Sequence, residues 1–253
     1  MQIIPLPAFR DNYIWTLQER GAAVVVDPGD AGPVMAYLDE RGLTLTAILV
    51  THHHADHVGG IEALRRRWPV PVFGPARESI PDCDHPLVEG DRVRLTEPPL
   101  DLTVWEVPGH TLGHIAYVGA GLVLCGDTLF SAGCGRLFEG TAAQLQTSLA
   151  RLASLPAETE VYCTHEYTLA NLAFAKKVDR DNPARETYQI ECEARRSAGR
   201  PTLPSTIGRE RAVNPFLRIQ EPAVQAAVAE WLGHPPANDA ECFAALREWK
   251  NQG

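Results

Sequence analysis

Apolar and polar positions divide this chain into a strand-like stretch followed by a helix-like one. Residues 13–17 and 22–26 are apolar runs around a Glu19-Arg20-Gly21 turn, which predicts two short strands. Asp27-Pro28-Gly29-Asp30 breaks the pattern, and Pro33 predicts a helix continuing to Glu40. Residues 45–50 form a continuous apolar run, as expected of a strand buried on both faces. Gly59 and Gly60 precede a predicted helix over 61–68. Further strands are predicted at 70–73, 102–107, 115–118, 121–125 and 160–163. After His165 the spacing of Leu169, Leu172, Ala173 and Lys176 becomes helical, and the chain stays helix-rich and polar to its end. Two domains are therefore expected, a strand-rich one over 1–165 and a helical one over 166–253.

The run at 45–50 ends at Thr51, so Thr51-His52-His53-His54-Ala55-Asp56-His57 falls on a loop at the carboxyl end of a strand. Sheets that mix strands and helices commonly hold their sites there. Imidazoles and carboxylates suit zinc and other borderline divalent metals. His52 and His54, two apart in an extended loop, point the same way and can share one metal. Asp56 and His57, past a bend, would face a second. A solvated histidine-rich loop is the plain alternative, disfavoured by this spacing after a buried strand.

Four donors cannot complete two coordination shells. Three other segments offer donors at the ends of predicted strands: Pro108-Gly109-His110-Thr111-Leu112-Gly113-His114, Cys125-Gly126-Asp127-Thr128 and Cys163-Thr164-His165-Glu166. Each alone has an ordinary explanation as a turn histidine, a helix-capping aspartate or a surface histidine. Together with the first loop they bring the count of candidate ligands to seven.

Charge narrows the chemistry. A net charge of −9 excludes an extended nucleic-acid surface, and any anionic substrate must meet a local cluster of cations. The last predicted helix supplies one. Asn238 and Glu241 read as its N-terminal cap, Cys242, Phe243, Leu246 and Trp249 as its apolar stripe, and Arg247 and Lys250 share the other face. Cations near a helix C-terminus are also favoured by the helix dipole alone. No basic leader and no apolar stretch of ~20 residues is present, so neither a signal peptide nor a membrane span is expected. Six scattered cysteines without CxxC spacing read as reduced thiols of a cytoplasmic protein.

The series Thr-His-His-His-Ala-Asp-His, Gly-His-Thr-x-Gly-His, Gly-Asp-Thr-Leu-Phe and His-Glu-Tyr-Thr resembles the metallo-β-lactamase superfamily. Within it the chain is similar to the glyoxalase II enzymes, the hydroxyacylglutathione hydrolases. Matching segments include Pro7-Ala8-Phe9-Arg10-Asp11-Asn12-Tyr13, Ala132-Gly133-Cys134-Gly135-Arg136, Phe138-Glu139-Gly140-Thr141, Pro204-Ser205-Thr206-Ile207-Gly208 and Asn214-Pro215-Phe216-Leu217-Arg218. The resemblance implies an α+β fold, a four-layer αββα sandwich, followed by a C-terminal α-helical domain that binds glutathione. It implies two divalent metal ions, zinc before iron or manganese. His52, His54 and His110 would bind one, Asp56, His57 and His165 the other, and Asp127 with a hydroxide would bridge them, Asp127 serving also as a proton relay. His53 is not expected to bind metal. Asp27 and His114 would lie behind the ligands. Arg136, Phe138, Tyr167, Arg247 and Lys250 would contact the substrate, a glutathione thioester such as S-D-lactoylglutathione. A lactonase of the same superfamily is the alternative on metal ligands alone, and the Arg247/Lys250 pair disfavours it. A monomer is expected, with neither nucleic acid nor membrane as partner.

Overall fold

Long apolar strands and the crossovers between them organise the first part of the chain. The computed structural model describes residues 1–252, and two compact units emerge: residues 1–106 with 112–126, and residues 107–111 with 127 onward.

In the first unit, β1 (Gln2–Ala8), β2 (Asn12–Glu19) and β3 (Ala22–Val26) pair antiparallel. β3 then continues in parallel to β4 (Thr44–Leu49), β5 (Val72–Pro75) and β6 (His85–Leu87). Parallel neighbours need crossovers. Helix α1 (Ala31–Arg41) supplies the first, and the short α2 (Ala55–Val58) with α3 (Ile61–Arg67) the second. α1 starts two residues before Pro33, because Asp30 accepts a hydrogen bond from Gly32 N at 2.8 Å and caps it. Its apolar face joins Val34 and Leu38 to Val25, Ile48, Ile61 and Leu64 in one core.

A second sheet of this unit is an antiparallel meander of β7 (Arg92–Thr96), β8 (Pro99–Glu106), β9 (Ile115–Gly119) and β10 (Leu122–Gly126). Leu100, Leu102 and Val104 alternate inward along β8, the period of a strand with one covered face. β1 lies outside the expected strands. Its Pro5 and Pro7 obscure the pattern, yet an edge strand tolerates them because no ladder donor is needed on the open side.

The second unit is mostly helical. It holds a two-residue hairpin, β11 (Leu129–Phe130) with β12 (Gly133–Cys134), then α4 (Ala142–Ala153), and β13 (Glu160–Cys163) paired with β14 (Ser205–Thr206). α5 (Thr168–Val178), α6 (Pro183–Ser197), α7 (Ile207–Val213), α8 (Pro222–Leu232) and α9 (Asp239–Gln252) complete it. α4 interrupts the stretch expected to be strands, and Thr141 with Gln144 forms the capping box that starts it. Phe174, Phe216, Phe243 and Trp249 make a chain of ring contacts 5.7–6.2 Å apart beneath α9.

α9 corrects one expectation. Asn238 caps it as expected, accepting from Glu241 N at 3.0 Å, but Arg247, which lines one cavity with Lys250, does not lie opposite the apolar stripe. Arg247 is 3% exposed and lies on the buried side with Phe243 and Leu246. Among the described residues no helix is long and apolar enough to cross a membrane.

Candidate functional site

The histidine loop follows β4 directly, and Asp27 at the end of the neighbouring β3 fixes where it starts. Asp27 takes up a left-handed backbone (φ 52°), a conformation aspartate tolerates better than most residues. Its carboxylate accepts from Thr51 N and from Thr51 Oγ1, both at 2.7 Å, and lies 3.2 Å from His57 Nδ1. Since the Thr51 hydroxyl proton goes to Asp27, the 3.1 Å contact between Thr51 Oγ1 and His52 Nδ1 has the ring as donor. That tautomer leaves the lone pair on His52 Nε2, the form a metal requires.

His52 Nε2 and His54 Nδ1 converge to 3.1 Å. Two imidazole nitrogens on one tetrahedral zinc, each about 2.05 Å from it, would stand about 3.3 Å apart. Asp56 Oδ2 lies 3.5 Å from His57 Nε2 and accepts from Asn12 Nδ2 at 2.9 Å. His114 stacks on His52 at 4.6 Å with an interplanar angle of 19°, fully buried. Gly126 has to be glycine here: its φ is +49°, and a Cβ would stand 2.3 Å from Thr51 Oγ1 and 2.8 Å from His114 Nε2.

Glu78 is a member of this arrangement that sequence reasoning missed. Its Oε2 accepts from His53 N at 2.6 Å and contacts His53 Nδ1 at 2.9 Å, and its Oε1 accepts from Gly113 N at 3.1 Å. One buried carboxylate thus ties the 51–57 loop to the segment carrying His114. His53 is turned to Glu78, away from the role of its neighbours. Glu78→Ala should weaken metal retention about 10–100-fold, the usual effect of losing a group that orients ligands. Competition with a chromogenic chelator measures it, and unchanged retention would refute the assignment.

In the second unit Asp127 begins just after β10, and one of its oxygens serves two histidines. Oδ2 lies 3.5 Å from His110 Nε2 and 3.3 Å from His165 Nε2. All three residues are at most 6% exposed. His110 Nδ1 donates to Arg136 O at 2.8 Å, which again leaves the Nε2 lone pair for a metal. His165 stacks on Tyr167 at 4.7 Å, and Phe138 meets His110 edge-on at 5.2 Å. Gly135 lets the chain pass beneath Asp127, since a Cβ there would fall 1.9 Å from Asp127 O.

Beside these residues lies a cavity of about 350 Å³, with Phe130, Cys134, Arg136, Tyr167, Arg247 and Lys250 among its lining. Among the described residues no carboxylate lines it. Arg247 Nη1 donates to Cys134 O at 2.9 Å, and Nη2 donates to Asn251 Oδ1 at 3.1 Å. Lys250 Nζ stands 5.4 Å over the Phe174 ring. Burial, reinforced by the Arg247 charge, pushes the Lys250 ammonium down to about 8. Burial pushes the Cys134 thiol up against the pull of Arg247, so it stays protonated at neutral pH. Cations in a partly desolvated pocket without acidic neighbours form an anion site.

Each unit therefore gathers its share of the expected residues, Asp27, His52, His54, Asp56, His57 and His114 in the first, and His110, Asp127, Arg136, Phe138, His165, Tyr167, Arg247 and Lys250 in the second. Within each unit the histidine and aspartate donors stand as close as neighbouring ligands of one divalent ion do, and their chemistry suits such ions.

Comparison with known proteins gives the same direction. Residues 9–165 match the family model described as metallo-beta-lactamase superfamily, and residues 166–253 the one described as hydroxyacylglutathione hydrolase C-terminus. A hydroxyacylglutathione hydrolase of Chromohalobacter salexigens is 53% identical over 100% of this chain and 99% of its own length. Among solved structures, ETHE1 from Myxococcus xanthus is 28% identical with a TM-score of 0.67, covering 100% of both chains. TTHA1623, solved in a di-iron-bound form, is 27% identical with a TM-score of 0.60, covering 86% of this chain and 100% of that one. The fold is the metallo-β-lactamase fold with a helical C-terminal region, as its motifs implied. The chain belongs to the hydroxyacylglutathione hydrolase, or glyoxalase II, family of the metallo-β-lactamase superfamily.

Proposed function

We propose that this protein hydrolyses S-D-lactoylglutathione, and other S-(2-hydroxyacyl)glutathiones, to glutathione and the 2-hydroxy acid, the second step of methylglyoxal detoxification. The observation that carries this reading is the cavity with Arg247 and Lys250, lined among the described residues by no carboxylate, in a chain whose histidine and aspartate donors suit two metals. A glutathionyl group carries carboxylates that such a cavity suits, and a neutral lactone has no use for it.

In this reading His52, His54 and His110 would hold one cation and Asp56, His57 and His165 the other, with Asp127 a donor to both. Two divalent ions would supply a water acidified from 15.7 to about 7 and a Lewis acid for the thioester carbonyl. The chain's own part is orientation. Asp27 and His114 fix the rings of His57 and His52, and the Arg136 carbonyl fixes His110. Asp127, half of whose carboxylate faces two imidazoles, takes up or relays the proton of the attacking water. The leaving thiol has an ordinary pKa of about 8.5, so it departs as a thiolate without a strong general acid. Arg247, Lys250, Arg136 and Tyr167 hold the glutathionyl group, with Phe138 packed beside His110.

Residues 1–165 then carry the chemistry, and 166–253, together with Arg136, the substrate recognition. Zinc is the first choice of metal, and iron or manganese also suits this donor set. We take the protein to be cytoplasmic and monomeric, with a small-molecule partner and no role for nucleic acid or membrane. Purified protein should release a free thiol from S-D-lactoylglutathione and lose that activity on chelation. Metal-replete protein that left this thioester intact but opened lactones would overturn the proposal.

A further inference from the structure

The β11–β12 hairpin supplies Phe130 and Cys134 to the cation cavity, with Arg136 just beyond, and its turn is held in an unusual way. Ala132 at its tip has φ +56°, a left-handed conformation unfavourable for a residue with a Cβ. Such a turn persists only when its surroundings hold it. The holding is done largely by one carboxylate. Glu210 on α7 is fully buried and accepts from Ala132 N at 2.8 Å, Ser131 Oγ at 3.0 Å, Asn214 Nδ2 at 3.0 Å and Ser205 Oγ.

Asn214 passes the grip on. Its Nδ2 also reaches Phe130 O at 3.1 Å and Gly133 O at 2.9 Å, while Asn171 Nδ2 donates to Ser131 O at 2.9 Å. Tyr188 OH contacts Ser131 Oγ at 2.8 Å from behind. The other side of the same segment is gripped by Arg247, through the carbonyls of Cys134 and Gly135. The position of the Arg247 guanidinium thus depends on where the turn stands. A buried carboxylate is costly to desolvate and is satisfied here by neutral donors, four of them, two belonging to the turn itself. An apolar side chain could fill the space but could not hold Ala132 N.

We infer that Glu210 is a positioning residue for substrate selection: its carboxylate, through the turn 130–133, sets the wall of the cation cavity that Arg247 and Arg136 share. This rests on the reading of that cavity as the glutathionyl site.

The test compares two thioesters of the same acid, S-D-lactoylglutathione and S-D-lactoyl-N-acetylcysteamine, which has no carboxylate. Glu210→Gln keeps the shape but presents a donor amide where two acceptor oxygens stood. It should raise KM for the glutathionyl ester about tenfold, leave kcat within about threefold, and leave kcat/KM for the short ester unchanged. Tyr188→Phe, which removes only the hydroxyl behind Ser131, should lower the preference in the same direction by about twofold. If Glu210→Gln does not fold, the ratio in Tyr188→Phe decides. A fall of equal size on both esters, or full preference retained in the folded variants, overturns the inference. A wild-type protein that does not prefer the glutathionyl ester would instead overturn the reading of the cavity.

Discussion

Asp127→Ala should lower kcat/KM toward S-D-lactoylglutathione at least about 10³-fold and leave the protein with about one metal per chain or fewer. The reason is geometric. One carboxylate oxygen stands 3.3 and 3.5 Å from two imidazole nitrogens, all of them buried, so its loss removes the anion that both rings face. Two divalent ions brought close together repel, and an anion shared between them offsets that repulsion most at low dielectric. Asp127→Asn keeps the shape and loses the charge, so it should fall nearly as far. His54→Ala should also abolish turnover, because it breaks the 3.1 Å pair with His52. Metal analysis beside steady-state kinetics measures both effects. A variant that kept two metals and turned over within about tenfold of wild type would remove Asp127 from the proposed role.

Lys250→Ala should raise KM about 10–100-fold with kcat nearly unchanged, the signature of a contact equal in ground and transition states. Arg247→Ala should do the same, with some loss of stability, because its guanidinium also holds the Cys134 carbonyl in the interior. The pH dependence separates the two. Lys250 is depressed to about 8, so its positive charge is present below that pH and lost above it. An anion site weakens as its cation neutralises. The kcat/KM profile for the glutathionyl ester should therefore turn down above about pH 8, while Lys250→Arg, whose guanidinium stays charged, should lack that limb. The profile for S-D-lactoyl-N-acetylcysteamine should lack it in the wild type as well. An alkaline limb of equal size for both esters would assign the ionisation to another group.

Much of this site is legible in the order of residues. Thr51 to His57 follows an uninterrupted apolar strand, and that local pattern places four donors on a loop at a strand's end. The His110, Asp127 and His165 segments are readable for the same reason, each following a predicted strand. Other parts are hidden by their local chemistry. β1 contains two prolines, which mask a strand pattern that an edge position tolerates. β11 and β12 are two residues each, too short for any periodicity to register. α4 carries a local start signal in its Thr141–Gln144 capping box, but it sits between stretches that read as strands.

Residue order alone settles which chemistry the chain can attempt: the donor types, their spacing on the loops, and the pairing of an arginine with a lysine near the C-terminus. Folding settles how those groups are used. Helical spacing puts Arg247 and Lys250 on one polar face, but packing against Phe216 and the β12 carbonyls buries Arg247 and leaves Lys250 half-buried at the cavity. Glu78 and Glu210 carry no sequence signal, because the loop and the turn they hold lie 25 and 79 residues away along the chain. A buried carboxylate is recruited by whichever backbone donors the fold leaves beside it, and no local pattern records that choice.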